Sequence, residues 1–516
     1  MTRPRAILAG LVILLLALLV RAPGLAAGRP YIHYVDEGSF LHPVAHMLRE
    51  GDWDQRSYLY PALPGLAVAA AARLYAPFHP LRHGGASFRA ALSAAPHPYY
   101  DILEPFELLV LARCLSLLAG LGLVVLTGLY ARRLAGPSAG LFAAFLAAFV
   151  PALAIRGDNA TVDPYAALFA LACFHFADRA RTSSRPGIEA ALAGLMAGFA
   201  FTSKYPAVTA AAGAGLILLL GERSGREKIR LLALGAAAAS AGVVAAMPSL
   251  VFRPQEVWSA IERQGELYAR LSSAPLWKQA LVRAEWDLSY EHPELGAVYL
   301  LLTLAGVLLG LRDRRWARTV AGWLLVCAIS LALYLPQGFQ PFRNLLPLVP
   351  LSCVAVSFVF TAVRERLARP RWVDAAAALL VLACFGLPLA GYARERARLV
   401  DSRVQAVDWL AARVRPEDTV LVVSELAFLP SELDRLKCQV LVRRWEPATS
   451  FVARRRPRFV VAGRLRRKGG VTVNAARHEL LGRFYDLRAH FGEDATIARA
   501  GLWHGNRQVV YVLQKR

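Results

Sequence analysis

Eleven apolar runs dominate the chain, near 6–22, 106–130, 139–155, 163–178, 188–202, 206–220, 231–248, 296–311, 318–335, 345–362 and 372–390. A bilayer core of roughly 30 Å is crossed by about 20 helical residues. In that core each backbone N–H and C=O must be satisfied inside its own helix. So many runs of this length leave few folds open, and the expectation is a polytopic all-α transmembrane bundle of about eleven helices. The chain of 516 residues is 56% hydrophobic and 19% charged, which excludes an ordinary soluble enzyme of this size.

The N-terminus, "MTRPRAILAGLVILLLALLVRAPGLAAG", has the basic start, apolar stretch and small residues of a signal peptide. Its apolar region is long for that role. It reads as an uncleaved first span, with Arg3 and Arg5 holding its start in the cytoplasm. From there the inner loops become "ARRLAGPSAG", "RARTSSRPG", "GERSGREKIR", "RDRRWAR" and "RERLARPR", each short and basic. The short outer connections "RGDNATVD", "TSKYP" and "PQGFQPFRN" carry one basic residue each. This is the positive-inside pattern. It accounts for much of the net charge of +23 without any nucleic acid. Eleven spans place the C-terminus outside.

Two long segments also fall outside. Residues 23–105 form a first outer loop in which "LHPVAHMLREGDW" predicts an amphipathic helix. In the same loop "YLYPALPGLAVAAAARLY" is apolar enough to lie in the interface. Residues 249–295 form a second loop whose Trp258, Trp277 and Trp286 suit the membrane surface. The domain of spans is taken as 1–390. Residues 391–516 change character: "DWLAARVRPEDTVLVVSELAF" predicts helix, turn and strand, and "CQVLVRRW", "PRFVVAG" and "QVVYVLQKR" are further strands. The tail is long enough for a small α/β extracytoplasmic domain. The six cysteines show no metal-ligand or disulfide spacing; five lie in apolar runs and Cys438 lies alone in the tail.

An ionisable side chain in a bilayer costs about 2.5–3.5 kcal/mol or more, so those beside the spans point to function or pairing. Most fall on the outer side. Asp36 and Glu37 follow the first span, Arg113 enters the second, and Arg156, Asp158 and Asp163 sit at the turn after the third. Lys204 separates two later spans and Arg343 precedes the tenth. If the helices bundle, these groups converge on one outward-facing cavity holding carboxylates and cations. Each has a plainer role. Arg113 can snorkel, Asp163-Pro164 is a good helix start, and Lys204 and Arg343 can anchor at the interface. Arg156 can pair with Asp158, and Asp36 and Glu37 can cap a helix. His42 and His46 have the i,i+4 spacing of a metal pair, close to His33, but Pro43 interrupts it and no further ligand set is evident.

A carboxylate beside cations suits the displacement of a phosphate. Cations offset charge on the leaving phosphate, and a carboxylate accepts the proton of an attacking hydroxyl or amine. A lipid-linked phosphosugar presented at the outer leaflet joins both requirements. Two other readings stay open: a transporter or lipid flippase without covalent chemistry, and a membrane scaffold whose outer domain binds partners.

The order of "YVDEGSFLHPVAHMLREGDW", "YLYPALPGLAVAAAARLY", "LARCLSLLAGLGLVVLTGLYARRLAG", "SAGLFAAFLAAFVPALAIRGDNATVDPYAALFALACFHF" and "GLMAGFAFTSKYPAVTAAAG" resembles the GT-C membrane glycosyltransferases. Within them it is most similar to the protein O-mannosyltransferase-like and aminoarabinose-transferase-like branch. The resemblance covers most of 1–390. It implies inverting transfer of a sugar from a polyprenyl-phosphate donor to an acceptor glycan, lipid or protein at the outer face of a bacterial inner membrane. It makes Asp36 the base or acceptor-orienting group and Asp163 a second catalytic acid. Glu37 supports Asp36 or, as in some relatives, helps hold a divalent cation, Mg or Mn. Lys204 would meet the lipid phosphate, with Arg343, Arg113, Arg156, Asp158 and Tyr60 as further substrate-binding positions. The Glu-Lys-Pro of aminoarabinose transferases is missing from "YLYPALPG". That absence argues against lipid A modification. The sugar is left open.

Overall fold

The computed structural model describes residues 3–32, 34–76, 106–269, 293–334, 342–367 and 370–423. Beyond these it describes 426, 428–443, 452, 454–466, 472–474, 481, 484–491 and 510–515. The chain divides into two compact units.

The first unit is helical. Each expected span finds a helix: Arg3–Arg21, Phe106–Ala135, Pro137–Phe149, Asp163–Thr182, Pro186–Ser203, Thr209–Leu219, Gly225–Ala246, Pro293–Arg312, Arg314–Tyr334, Val349–Arg366 and Pro370–Val381. Among the described residues, seven candidate spans are long and apolar enough to cross a membrane by length and composition. Of the rest, Pro137–Phe149 is shorter, as is Tyr205–Leu219, which opens on a tight turn; Asp163–Thr182 ends in Asp178, Arg179 and Arg181. Ile7, Leu8, Leu11, Leu15 and Leu19 of the first helix are exposed, as a lipid-facing surface requires.

In lipid there is no hydrophobic drive between helices, so small residues that permit close backbone approach set the contacts. Pro186–Ser203 packs on both Asp163–Thr182 and Gly225–Ala246. A Cβ at Gly194 would lie 1.9 Å from the Gly235 carbonyl oxygen, and one at Gly198 would lie 2.5 Å from that of Ala239. These two glycines, four apart, are what lets that pair of helices touch.

The short basic loops are tied by ion pairs at one end of the bundle. Asp178 meets Arg133 at 2.8 Å and Arg181 at 2.6 Å, and Glu189 meets Arg179 at 2.7 Å. The first long loop contributes helices Val35–Glu50 and Ala62–Tyr75, where the sequence predicted an amphipathic helix and an apolar segment. The second contributes Ser249–Phe252 and Pro254–Ala269, which carries Trp258; Trp277 and Trp286 lie outside the described residues.

The second unit joins 398–516 to residues 26–38. Its strands are β1 Thr419–Val423, β2 Gln439–Arg443, β3 Phe459–Ala462, β4 Arg464–Arg466, β5 Thr472–Asn474, β6 Tyr485–Phe491 and β7 Val510–Lys515. The main sheet has the order β2-β1-β3-β7-β6. β1 pairs in parallel with β2 and β3, while β7 runs antiparallel to β3 and β6. Alternation along β1 sends Val420 and Val422 to the face covered by Ala406, Val407 and Leu410 of helix Ser402–Ala411. Leu421 and Val423 go to the other face, with Val460, Tyr485 and Leu513. The strands expected around 421, 440, 460 and 512 are present; β4, β5 and β6 were not anticipated.

Candidate active site

In the helical unit three of the expected site residues meet. The turn after Pro186–Ser203 puts Lys204 in extended backbone, and the chain resumes in the tight turn Tyr205–Val208. Asp163 opens the helix Asp163–Thr182, where an acid and a following proline favour initiation. Lys204 Nζ donates to Asp163 Oδ1 at 2.5 Å and to the main-chain oxygen of Arg343 at 3.2 Å. Lys204 and Asp163 are 8% and 3% exposed, so the pair is shielded from solvent. Arg343 is the second residue of the segment Phe342–Leu348, which packs on Asp163–Thr182 and on the short helix Pro151–Arg156. Arg156, at the end of that short helix, is buried, and its charge acts on the Lys204 ammonium. The Asp163 carboxylate and the Lys204 ammonium thus share the site with the charge of Arg156, while Arg343 contributes its main-chain carbonyl. At Asp163 the helix-start role and the pairing role are both realised.

Arg113 and Asp158 go elsewhere in the same unit. Asp158 accepts from the Tyr392 hydroxyl at 2.5 Å and lies 3.6 Å from Arg396 Nε. Arg396 Nη2 donates to Asn159 Oδ1 at 2.9 Å. Arg21 donates to the carbonyls of Ala17 and Ala148 at 3.0 and 2.9 Å. Arg113 donates to those of Gly24 and Leu25, both at 3.1 Å. Together these bonds tie the first and last spans and the 157–161 turn. The packing leaves no slack: a Cβ on Gly24 would sit 2.2 Å from Asp158 Oδ2.

Tyr60 lies in the first long loop, and its main-chain oxygen accepts from Gln55 Nε2 at 2.8 Å. Nearby, Asp54 Oδ1 accepts from the Tyr58 hydroxyl at 2.9 Å, and Arg253 reaches Asp54 Oδ2 at 3.3 Å. Burial, with help from Asp54, pushes the Tyr58 phenol up to about 12. The Tyr205 hydroxyl donates to the Tyr58 carbonyl at 3.0 Å.

Asp36 and Glu37 occupy the first turn of Val35–Glu50, where the helix dipole favours acids. Glu37 is fully buried and Asp36 is half-buried. The segment that presents them is fixed within the second unit. Arg403 forms a bidentate pair with Asp401 at 2.8 and 3.0 Å, and its guanidinium lies 3.5 Å from the centre of the Tyr31 ring. The Tyr31 hydroxyl accepts from the Leu429 amide at 2.9 Å. Burial pushes the Tyr31 phenol well above its ordinary range. Of the histidines near the acids, His33 lies outside the described residues. Among the described residues no group of three His, Cys, Asp or Glu side chains is placed to hold a metal ion.

Sequence reasoning missed Tyr58, Tyr205, Tyr392, Arg396 and Arg21. Tyr205 had a signal, since it directly follows Lys204. Tyr392 and Arg396 had another, a polar i,i+4 pair closing the last apolar run.

Residues 108–252 match a family model described as dolichyl-phosphate-mannose-protein mannosyltransferase. That stretch holds Arg113, Arg156, Asp158, Asp163 and Lys204. No curated protein matches the sequence. Among solved structures, ArnT from Cupriavidus metallidurans bound to undecaprenyl phosphate aligns with a TM-score of 0.55 at 14% identity, covering 98% of this chain and 97% of that one. The archaeal oligosaccharyltransferase AglB from Archaeoglobus fulgidus, in complex with an inhibitory peptide and a dolichol-phosphate, aligns with a TM-score of 0.50 at 12% identity. That alignment covers 89% of this chain and 69% of that one.

Proposed function

The chain is a polytopic membrane protein with the fold of the GT-C glycosyltransferases, and from that premise we propose that it transfers a sugar from a polyprenyl-phosphate donor to an acceptor on the outer face of a bacterial inner membrane. The observation that carries this reading is the shielded Lys204–Asp163 pair, with the charge of Arg156 acting on it and the Arg343 carbonyl holding the ammonium. A phosphate leaving group gains charge as the glycosyl bond breaks, and fixed cations in a dry site stabilise that charge. Lys204, held by two acceptors, is the group assigned to the lipid phosphate. Asp163 orients the ammonium and keeps it charged. Arg113 and Asp158 act through packing, by holding the helices that frame this end of the unit.

Asp36 is assigned the proton of the attacking group. The acceptor's nucleophilic atom bonds to the anomeric carbon, the carbon–oxygen bond to phosphate breaks with inversion, and the released proton passes to the Asp36 carboxylate. Glu37, buried next to it, fixes the helix start that presents Asp36. The step is written with this chain's own residues; among those described, no group of three His, Cys, Asp or Glu side chains is placed to hold a cation. The N-terminus is assigned to the cytoplasm and residues 398–516 to the opposite side. The transporter and flippase alternative draws no support from the matched fold.

The test is incubation of the purified protein with a panel of polyprenyl-phosphate sugars and candidate acceptors (glycan, lipid and protein), followed by mass spectrometry of the lipid and the acceptor. Release of free polyprenyl phosphate with a glycosylated product is expected. Flux of intact donor across a vesicle without bond cleavage would return the transporter reading.

A further inference from the structure

A cavity of about 730 Å³ opens in the helical unit, between residues 56–59 of the first outer loop and the helix Pro254–Ala269. Arg56, Ser57, Tyr58, Glu256, Ser259 and Arg263 line it. Apart from Tyr58, whose carbonyl accepts from Tyr205, none of these residues has a role assigned above. The volume is that of a small-molecule pocket. We propose that it is an acceptor subsite for a carbohydrate bearing a carboxylate or phosphate group, a proposal that rests on the glycosyltransferase reading.

Three observations carry it. The first is that the cleft is built. Its floor, Tyr58 and Ala260, belongs to one buried cluster with Ala62, Tyr205, Met247 and Val257. Arg56 holds a left-handed backbone, φ 53°, which a side chain larger than glycine adopts only when its surroundings enforce it. Here Asp54 Oδ1 accepts from the Arg56 amide at 3.1 Å, and the Gln55 carbonyl accepts from the Ser57 amide at 2.7 Å.

The second is charge. Glu256 already faces Arg253 at 3.7 Å, and Arg56 has Asp52 at 3.4 Å. Arg263 Nε donates to the Ser259 carbonyl at 3.2 Å, and among the described residues Arg263 has no other hydrogen bond and no carboxylate partner. Its two terminal nitrogens form the fork that recognises carboxylate or phosphate oxygens. Ser57 and Ser259 also line the cleft, and hydroxyls of that kind suit sugar hydroxyls.

The third is continuity with the proposed phosphate site. Tyr205, whose hydroxyl holds the Tyr58 carbonyl at 3.0 Å, is the residue next to Lys204. A glycan anchored by Arg263 therefore lies over a floor whose support begins one residue from the donor-binding ammonium.

The experiment uses the full-length protein in nanodiscs and four probes: a galacturonate tetrasaccharide, a phosphorylated mannose tetrasaccharide, a neutral mannose tetrasaccharide and undecaprenyl phosphate. Wild type should bind at least one anionic glycan about tenfold tighter than the neutral one. Whichever anionic probe binds identifies the charged group. Arg263→Gln should erase that preference and leave undecaprenyl phosphate binding unchanged, while Lys204→Ala does the reverse. Arg263 is surface-exposed, and an unchanged unfolding midpoint confirms that the variant is folded. A parallel variant, Ser259→Ala, should weaken both glycans by a smaller factor. Equal affinity for charged and neutral glycans, or no glycan binding at all, overturns the proposal and leaves the donor reading standing. Loss of undecaprenyl phosphate binding in Arg263→Gln also overturns it, by making the cleft part of the donor site. Glycan binding without any binding of undecaprenyl phosphate counts against the donor reading instead.

Discussion

Lys204 and Asp163, 41 positions apart in the chain, meet as a buried ion pair at 2.5 Å, and the ammonium also holds the Arg343 carbonyl. That single contact joins the ends of three helical segments and supplies the cation assigned to the donor phosphate. Stability and binding can therefore be separated at this pair.

Lys204→Ala leaves a buried carboxylate without its cation, a loss of about 3 kcal/mol or more. The expected result is a lower unfolding midpoint together with weaker undecaprenyl phosphate binding. In Lys204→Ala/Asp163→Ala the orphaned charge is gone, so the midpoint should recover in large part. Donor binding should not recover. Parallel recovery of both, measured by thermal unfolding and lipid binding, would reduce Lys204 to a structural role.

Asp36→Asn keeps the size and most hydrogen bonds of the side chain but removes its capacity to accept a proton. Sugar transfer should fall by about 10²–10⁴, the range typical of a general base. Donor binding and the unfolding midpoint should stay near wild type. Single-turnover assays with labelled donor check this, and near-normal turnover refutes the assignment.

Gly24→Ala places a methyl group 2.2 Å from Asp158 Oδ2. Either the first span or the 157–161 turn must shift, breaking the Tyr392–Asp158 bond. The expected cost is about 1–3 kcal/mol, read as a lower unfolding midpoint. Gly10→Ala on the same helix, with open space around its Cβ, is the control and should be neutral.

Tyr58 gives a pH prediction. Its phenol is raised in the folded protein to about 12, above an ordinary value of 10.0. A group raised on folding adds stability below its unfolded pKa and loses it as pH climbs through the folded one. Its contribution should therefore be intact below pH 10 and fade between pH 10 and 12. Unfolding midpoints of wild type and Tyr58→Phe, compared across that window, should show a steeper alkaline fall in wild type.

The helices were legible because bilayer physics leaves one way to read a long apolar run. The expected span at 231–248 sits within Gly225–Ala246 to within two residues at its C-terminal end. What makes that helix pack, the close approach at Gly194 and Gly198, was hidden in a run that reads only as small and apolar. Asp163, Lys204 and Arg343 were legible as a group because charge beside lipid is costly and all three fell on one predicted side. The bonds of Arg113 and Asp158 were not legible. A charged residue at a span end looks the same in sequence whether it faces a ligand or the carbonyls of Gly24 and Leu25. The β6 strand was missed because "YDLRAHF" mixes charge with its apolar positions, as its exposed face requires.

The docking of Tyr31 on Leu429 spans 398 positions. The residues leading to Asp36 emerge early from the ribosome, yet their seat is made of chain synthesised last. A nascent or truncated polypeptide therefore has its membrane helices before it has a fixed mount for the carboxylate. On the role proposed for Asp36, a chain cut before Arg403 should therefore insert its helices and fail to transfer sugar.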